Sequence, residues 1–250
     1  MNGTSPARRI WALSERRRKF AREVGSVVLG VLIALAAAEA VEWLRWQWRV
    51  QRSFEAVKEE LAQSRSYLLE RRSYQPCLER RIAAIGAILA DARQTGRLPA
   101  IENVGRPGMR PIVRTAFDVA TGEGVLLHTS RQTAAAYSDV YVLAIDAYQE
   151  QIAAEQEAWM VLGLLNQDGG PVSDDLLATL LEAWARARER GDWTGLIAQQ
   201  GSDAIGELGV GYWTVNGSLA EAITEVEELN RKREVCKPML VDGKPFRPAR

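Results

Sequence analysis

Val24-Gly-Ser-Val-Val-Leu-Gly-Val-Leu-Ile-Ala-Leu-Ala-Ala-Ala38 is apolar throughout except for Ser26, and the reading of the whole chain turns on it. Alone it is short for a membrane span. With Glu39 and Glu42 tolerated near one end it reaches Leu44, about 31 Å of helix against a hydrocarbon core of about 30 Å. Glu39 then falls about 22 Å along the helix, close to the far headgroups, where a side chain reaches the interface. Trp43, Trp46 and Trp48 follow at once, interleaved with Arg45 and Arg49, as in the aromatic and cationic belt of a membrane surface.

The flanks orient this segment. Arg8, Arg9, Arg16, Arg17, Arg18, Lys19 and Arg22 stand before it against only Glu15 and Glu23, a net +5. The remaining residues hold 25 basic and 30 acidic groups, a net −5, so the overall charge of zero hides a strong asymmetry. The positive-inside rule places the N-terminus in the cytoplasm and the large C-terminal part outside. A cleaved signal peptide is the competing reading. It has the same basic and apolar order, small residues at Ala36-Ala37-Ala38 or Ala38-Glu39-Ala40, and Arg17-Arg18-Lys19-Phe20 akin to part of a twin-arginine signal. The helical pattern and the Trp belt run straight through that cut site and favour an uncleaved anchor. Both readings export the C-terminal domain.

Lys19-Phe-Ala-Arg-Glu-Val-Gly-Ser-Val-Val-Leu-Gly-Val-Leu-Ile-Ala-Leu35, followed by Glu42-Trp43, resembles the opening of a family of uncharacterised bacterial envelope proteins. In that family a basic segment leads into a V-x-G-x-L-I-A-L span, from which a polar helix continues. The resemblance implies a single-pass anchor in the bacterial inner membrane with a periplasmic or otherwise extracytoplasmic helical domain, and it implies no activity. The expected division is a basic cytoplasmic tail (1–22), a transmembrane helix (23–46), a helical extracytoplasmic domain (47–236) and an extended tail (237–250).

Within the span, Ser26, Gly30, Ala34 and Ala38 recur every fourth residue. Such a small-residue face lets two helices approach and would pair two copies of the chain, although a span this rich in alanine shows the spacing by chance as well. In the tail, Ser5-Pro6 reads as a cap and first-turn proline. Ile10, Trp11, Leu13 and Phe20 among arginines suit either a short helix on the inner membrane face or a disordered basic segment.

Cys77 and Cys236 are the only cysteines, and both fall on the exported side. Two cysteines in an oxidising compartment point to a disulfide tying the end of the first soluble helix to the end of the last. Chain-entropy arithmetic for a loop of that length gives roughly 5 kcal/mol as an upper estimate.

Helical periodicity dominates the rest. Phe54, Val57, Leu61, Ser64 and Leu68 make one stripe, ending near Tyr74 before Pro76. Leu78, Ile82, Ile85, Leu89 and Ala92 make the next, stopped by Gly96. Residues 97–111, with three prolines and two glycines, read as a loop. A short helix is expected from Pro111 to Gly122, and a long one over 131–166, capped by Ser130. The long helix turns Tyr137, Tyr141, Ala144, Tyr148, Ile152, Trp159 and Leu162 inward. Ser173 caps another, with Leu176, Leu177, Leu180, Leu181 and Trp184 apolar and Gly191 as its stop. Residues 192–211 look glycine-broken, and a last helix over Tyr212–Arg233 places Leu219, Ile223, Val226 and Leu229 inward. No stretch alternates with period two, so the fold class expected is all-α.

Catalytic signatures are lacking, and the chain reads as no enzyme. His128 is the only histidine and has no serine, cysteine or acid pattern around it. Glu150, Glu155 and Glu157, like Glu225, Glu227 and Glu228, read as solvated helix faces. Two cysteines with one distant histidine make a poor metal set, and no cofactor is implied. The absence of a basic block beyond the N-terminus argues against nucleic acid. Two functions fit: a membrane-tethered interaction or scaffold module meeting another envelope protein or itself, or a sensory domain with a ligand pocket between helices. A pocket with convergent polar groups favours the second, and an exposed apolar helix face favours the first.

Overall fold

A computed structural model describes residues 6–108 and 110–246, the side chains of 6–18 excepted. The expected Ser5 cap, the side chains of Ile10, Trp11 and Leu13, and the last four residues lie outside the described residues. Contacts divide the chain into two units, Met1–Arg52 and Ser53–Arg250. The long helix α1 (Pro6–Ser73) begins in the first and ends in the second.

In the first unit α1 is long and apolar enough to cross a membrane by length and composition. From Lys19 to Arg45 each residue is exposed. Ser26 donates to the carbonyl of Glu23 at 2.9 Å, back into its own helix. Nothing lies within 4 Å of the space a Cβ at Gly30 would take. Trp43 and Trp48 are exposed, while Trp46 is half-buried beneath the Arg49 guanidinium, 4.5 Å from its ring centroid.

The second unit is almost all-α. After the end of α1 come α2 (Gln75–Thr95), α3 (Thr115–Gly122), α4 (Arg131–Asp139), a π-helical stretch (Val140–Asp146) and α5 (Ala147–Leu162). Next are α6 (Asp174–Glu207) and α7 (Leu219–Lys232). The expected stripes of α1 and α2 are buried, from Val57 to Leu68 and from Leu78 to Ala92. So is the aromatic stripe from Tyr137 to Leu162. Ile85, Leu89, Leu162, Leu165 and Leu180 form the centre of the core where α2, α5 and α6 meet. Ser130 and Ser173 cap α4 and α6, accepting from Thr133 N at 3.0 Å and Leu176 N at 3.3 Å. Gly96 closes α2 in the left-handed region, φ 67°.

Four expectations are corrected. First, α6 does not stop at Gly191 but runs to Glu207. Its glycines are places of close approach. A Cβ at Gly191 would meet Glu155 Oε1 at 3.2 Å, one at Gly195 would meet Gln75 at 3.0 Å, and one at Gly201 would meet Ala144 Cβ at 3.0 Å. Tertiary packing outweighs a helix-propensity cost of about 1 kcal/mol per glycine.

Second, the 97–111 loop and the C-terminal tail hold short strands. β1 (Arg97–Leu98) pairs antiparallel with β3 (Gly170–Pro171). β2 (Ile101–Glu102) pairs with β4 (Leu240–Val241), which turns back through β5 (Lys244–Pro245). Residues 237–246 are therefore a docked hairpin, with Met239 buried, and not an extended tail.

Third, the expected Pro111 helix begins only at Thr115, and the expected Tyr212 helix only at Leu219, where Ser218 supplies the cap. α7 buries Ala222 and Val226 but leaves Leu219, Ile223 and Leu229 exposed, contrary to the expected inward set. Fourth, Glu155 is not on a solvated face. It is fully buried.

Candidate functional site

A groove of about 400 Å³ lies between α2 and α6, with α5 as its floor. Leu78, Ile82 and Ala83 line one wall, Trp184, Ala187 and Gly191 the other, and Glu155 and Trp159 the floor. Glu79, Arg188 and Asp192 stand at its mouth. Helical spacing explains the walls: Leu78 and Ile82, and Trp184, Ala187 and Gly191, step by three or four along one face of each helix. Trp184 is fixed by its indole N–H, which donates to the carbonyl of Ile82 at 2.9 Å. Gly86 makes room for the ring, since a Cβ there would stand 2.8 Å from Trp184 Cζ2. Arg188 covers the same ring, its guanidinium 6.0 Å from the centroid.

Beneath the groove lies a buried ion pair. Arg71 Nη2 reaches both carboxylate oxygens of Glu155 at 3.2 Å and the Gly191 carbonyl at 3.1 Å. Its Nη1 donates to Gln75 Oε1. The two side chains are 1% and 0% exposed. Burial raises the Glu155 carboxyl pKa above the usual carboxylate range, and the adjacent Arg71 charge opposes that rise. Tyr74 and Tyr148, packed around the pair, are likewise pushed up by burial. The buried Trp159 Nε1 makes no aligned hydrogen bond among the described residues, although the indole stands close enough to help hold the Glu155 charge.

Three further buried charges tie the second unit together. Glu60 on α1 accepts from Tyr141 Oη at 2.6 Å and from Ala116 N at 2.7 Å, so it caps α3 from outside that helix. Glu70 holds both Arg110, at 3.0 Å, and Arg233. Arg81 donates to four carbonyls, those of Asn103, Val104 (2.9 Å), Glu234 (3.1 Å) and Lys237 (2.5 Å).

Of the residues singled out from sequence, Cys77 and Cys236 come together. Their sulfurs are at bonding distance and their Cα atoms 4.9 Å apart across a separation of 159 residues. Ser26, Gly30, Ala34 and Ala38, with Trp43, Trp46 and Trp48, stay on the first unit's helix, away from the groove residues in sequence and unit. His128 is exposed at the end of a 3-10 turn. Among the described residues no three His, Cys, Asp or Glu side chains converge as a metal set. Sequence reasoning missed Arg71 and placed Glu155 on a solvated face, although a signal existed. Arg71 extends the Val57-Leu61-Ser64-Leu68 stripe by three residues, and Glu155 falls between Ile152 and Trp159 on the same stripe. A charge in register with an apolar stripe requires a buried partner.

The chain matches no protein-family model, no curated protein and no solved structure.

Proposed function

We propose that this chain is a single-pass, membrane-anchored protein whose helical domain lies outside the cytoplasm and binds a small amphipathic molecule in the α2–α6 groove. The groove carries the reading. Its volume falls in the range of ligand sites, about 300–1,000 Å³. Its walls are apolar and aromatic, and Glu79, Arg188 and Asp192 at the mouth give an occupant a fixed orientation. The anchor reading rests on the uncovered apolar face of α1 from Val24 to Leu44, which needs an apolar surround, and on the basic residues before it. The resemblance to bacterial envelope proteins supports the inner membrane as its place. No reaction is assigned to the groove.

Two measurements test this. Protease added outside spheroplasts digests the domain if it is periplasmic, and digestion only after lysis of the inner membrane refutes the orientation. Ala83→Trp narrows the mouth of the groove at an exposed position. In a thermal-shift screen of flat aromatic amphiphiles on the full chain in lipid nanodiscs, some members should stabilise the wild type and leave this variant unmoved. A screen in which no member separates the two proteins refutes the groove as a binding site.

A second reading has its own observation. Trp213, Val215, Leu219 and Ile223 are exposed around the start of α7, and an apolar patch of this kind suits contact with another envelope protein. Cross-linking in intact envelopes should give an adduct that Leu219→Glu with Ile223→Glu removes. Pairing of two copies through Ser26, Gly30, Ala34 and Ala38 predicts instead a homodimer cross-link lost in Gly30→Leu.

A further inference from the structure

We infer that the Cys77–Cys236 disulfide is an exchange site for a dithiol reductant, with Cys236 the sulfur attacked and Cys77 the thiolate that leaves. The inference does not depend on the groove. Cys77 is the third residue of α2, a helix of 21 residues whose N-cap, Tyr74, offers no side-chain cap. The helix N-terminus favours negative charge there. Arg80, one turn on, places Nη2 3.5 Å from Cys77 Sγ. Cys236 ends a 3-10 turn, Glu234–Cys236, and has neither advantage. The other charges about the pair are spoken for: Arg81 on four carbonyls, Lys237 on Glu234 at 3.0 Å, and Arg233 on Glu70. Of the two thiolates Cys77 is therefore the better held, and the better-stabilised thiolate leaves faster. Both residues are only half-buried, so a thiolate can reach them.

The segment that Cys236 anchors is also held without the bond. Arg81 grips the carbonyls of Glu234 and Lys237, Val235 and Met239 are buried, and β4 pairs with β2. Asp242 N donates to the Ala100 carbonyl at 2.8 Å, and Ala100 N donates back to the Asp242 carboxylate at 3.1 Å. Opening the disulfide leaves these contacts in place, so the two sulfurs stay near each other and can reclose. The chemistry balances as follows. A thiolate of the dithiol attacks Cys236 Sγ, the S–S bond breaks, and its electron pair passes to Cys77 Sγ. The second thiol of the reductant, losing its proton, attacks its own sulfur in the mixed disulfide and releases Cys236, which takes up a proton. The protein disulfide gains two electrons and the dithiol becomes a disulfide.

The test uses the full chain in nanodiscs, with dithiothreitol as reductant and intact mass as readout. Reduction should proceed without denaturant, the helical circular dichroism should persist, and Arg80→Gln should slow reduction about threefold to tenfold. With a monothiol in place of dithiothreitol, which has no second thiol to resolve the mixed disulfide, and an acid quench, the adduct should be found on Cys236. A faster reaction with a thioredoxin-type protein dithiol at equal thiol concentration identifies a protein as the source of the reductant, and a slower one identifies a small thiol. A bond that opens only in denaturant, or an unchanged rate in Arg80→Gln with the adduct on Cys77, overturns the inference.

Discussion

Two stretches of the same helix invert the usual rule of what is buried. Between Val24 and Leu44, α1 is apolar and uncovered. Between Val57 and Arg71, it buries Glu60, Ser64, Glu70 and Arg71 beside Val57, Leu61 and Leu68. The contrast teaches that side-chain type alone does not decide burial. In the first stretch no described protein surface competes for the apolar face, so that face suits a lipid surround. In the second, each charge has a partner from another element, and partnered charges can be buried where lone ones cannot.

The sharpest way to break this contrast is to remove one member of the buried pair. Glu155→Leu leaves the buried Arg71 guanidinium with no side-chain acceptor at that position and should lower stability by about 3–5 kcal/mol in denaturant titration, whereas Arg71→Leu combined with Glu155→Leu should recover most of that loss. Equal losses in the single and double variants would show that the stranded Arg71 charge is not what destabilises the single variant.

Gly201→Val comes next. Its side chain would press on Leu68 and Ala144, and overpacking of this kind should cost about 1–3 kcal/mol. A neutral result would show that α6 has room to move.

Tyr141→Phe removes the hydroxyl that Glu60 accepts at 2.6 Å and should cost about 1–2 kcal/mol by thermal melting, with the loss carried by the α3 region in hydrogen exchange.

A smaller effect follows pH. Burial raises the Glu155 pKa in the folded chain, so between the ordinary and the raised value the folded chain keeps a proton that the unfolded chain has lost. Acidification through that window should favour the folded state of the wild type relative to the double-leucine variant. Parallel pH profiles for the two would sink the assignment.

The least effect on the folded unit should come from the first stretch. Leu32→Glu should change the melting of the second unit by less than about 0.5 kcal/mol, while carbonate extraction should release the variant from membranes. An equally large loss of domain stability would mean that the stretch is packed in the folded unit.

Several parts of this architecture were legible from periodicity. Val57-Leu61-Leu68, Leu78-Ile82-Ile85-Leu89 and Tyr137-Tyr141-Tyr148-Trp159 all lie buried as their spacing demands, because a helix repeats its faces wherever it is placed. The Ser130 and Ser173 caps were legible for a similar reason, being bonds across a few residues. Gly191 was misread because a glycine that ends a helix and one that admits a neighbour look alike in one dimension. The Glu155–Arg71 pair spans 84 residues, and only the approach of α5 to α1 joins it.

By itself the sequence determined what depends on near neighbours: a helical chain, one long apolar segment with basic residues before it, and capped amphipathic helices after it. Only the tertiary structure decided what depends on distant segments meeting: that Arg81 gathers four carbonyls, and that α2, α5 and α6 leave a groove over a buried ion pair. The physical reason is range. Helix periodicity and capping act over one or two turns, whereas the partner of a buried charge is chosen by whichever surface the folded chain brings against it.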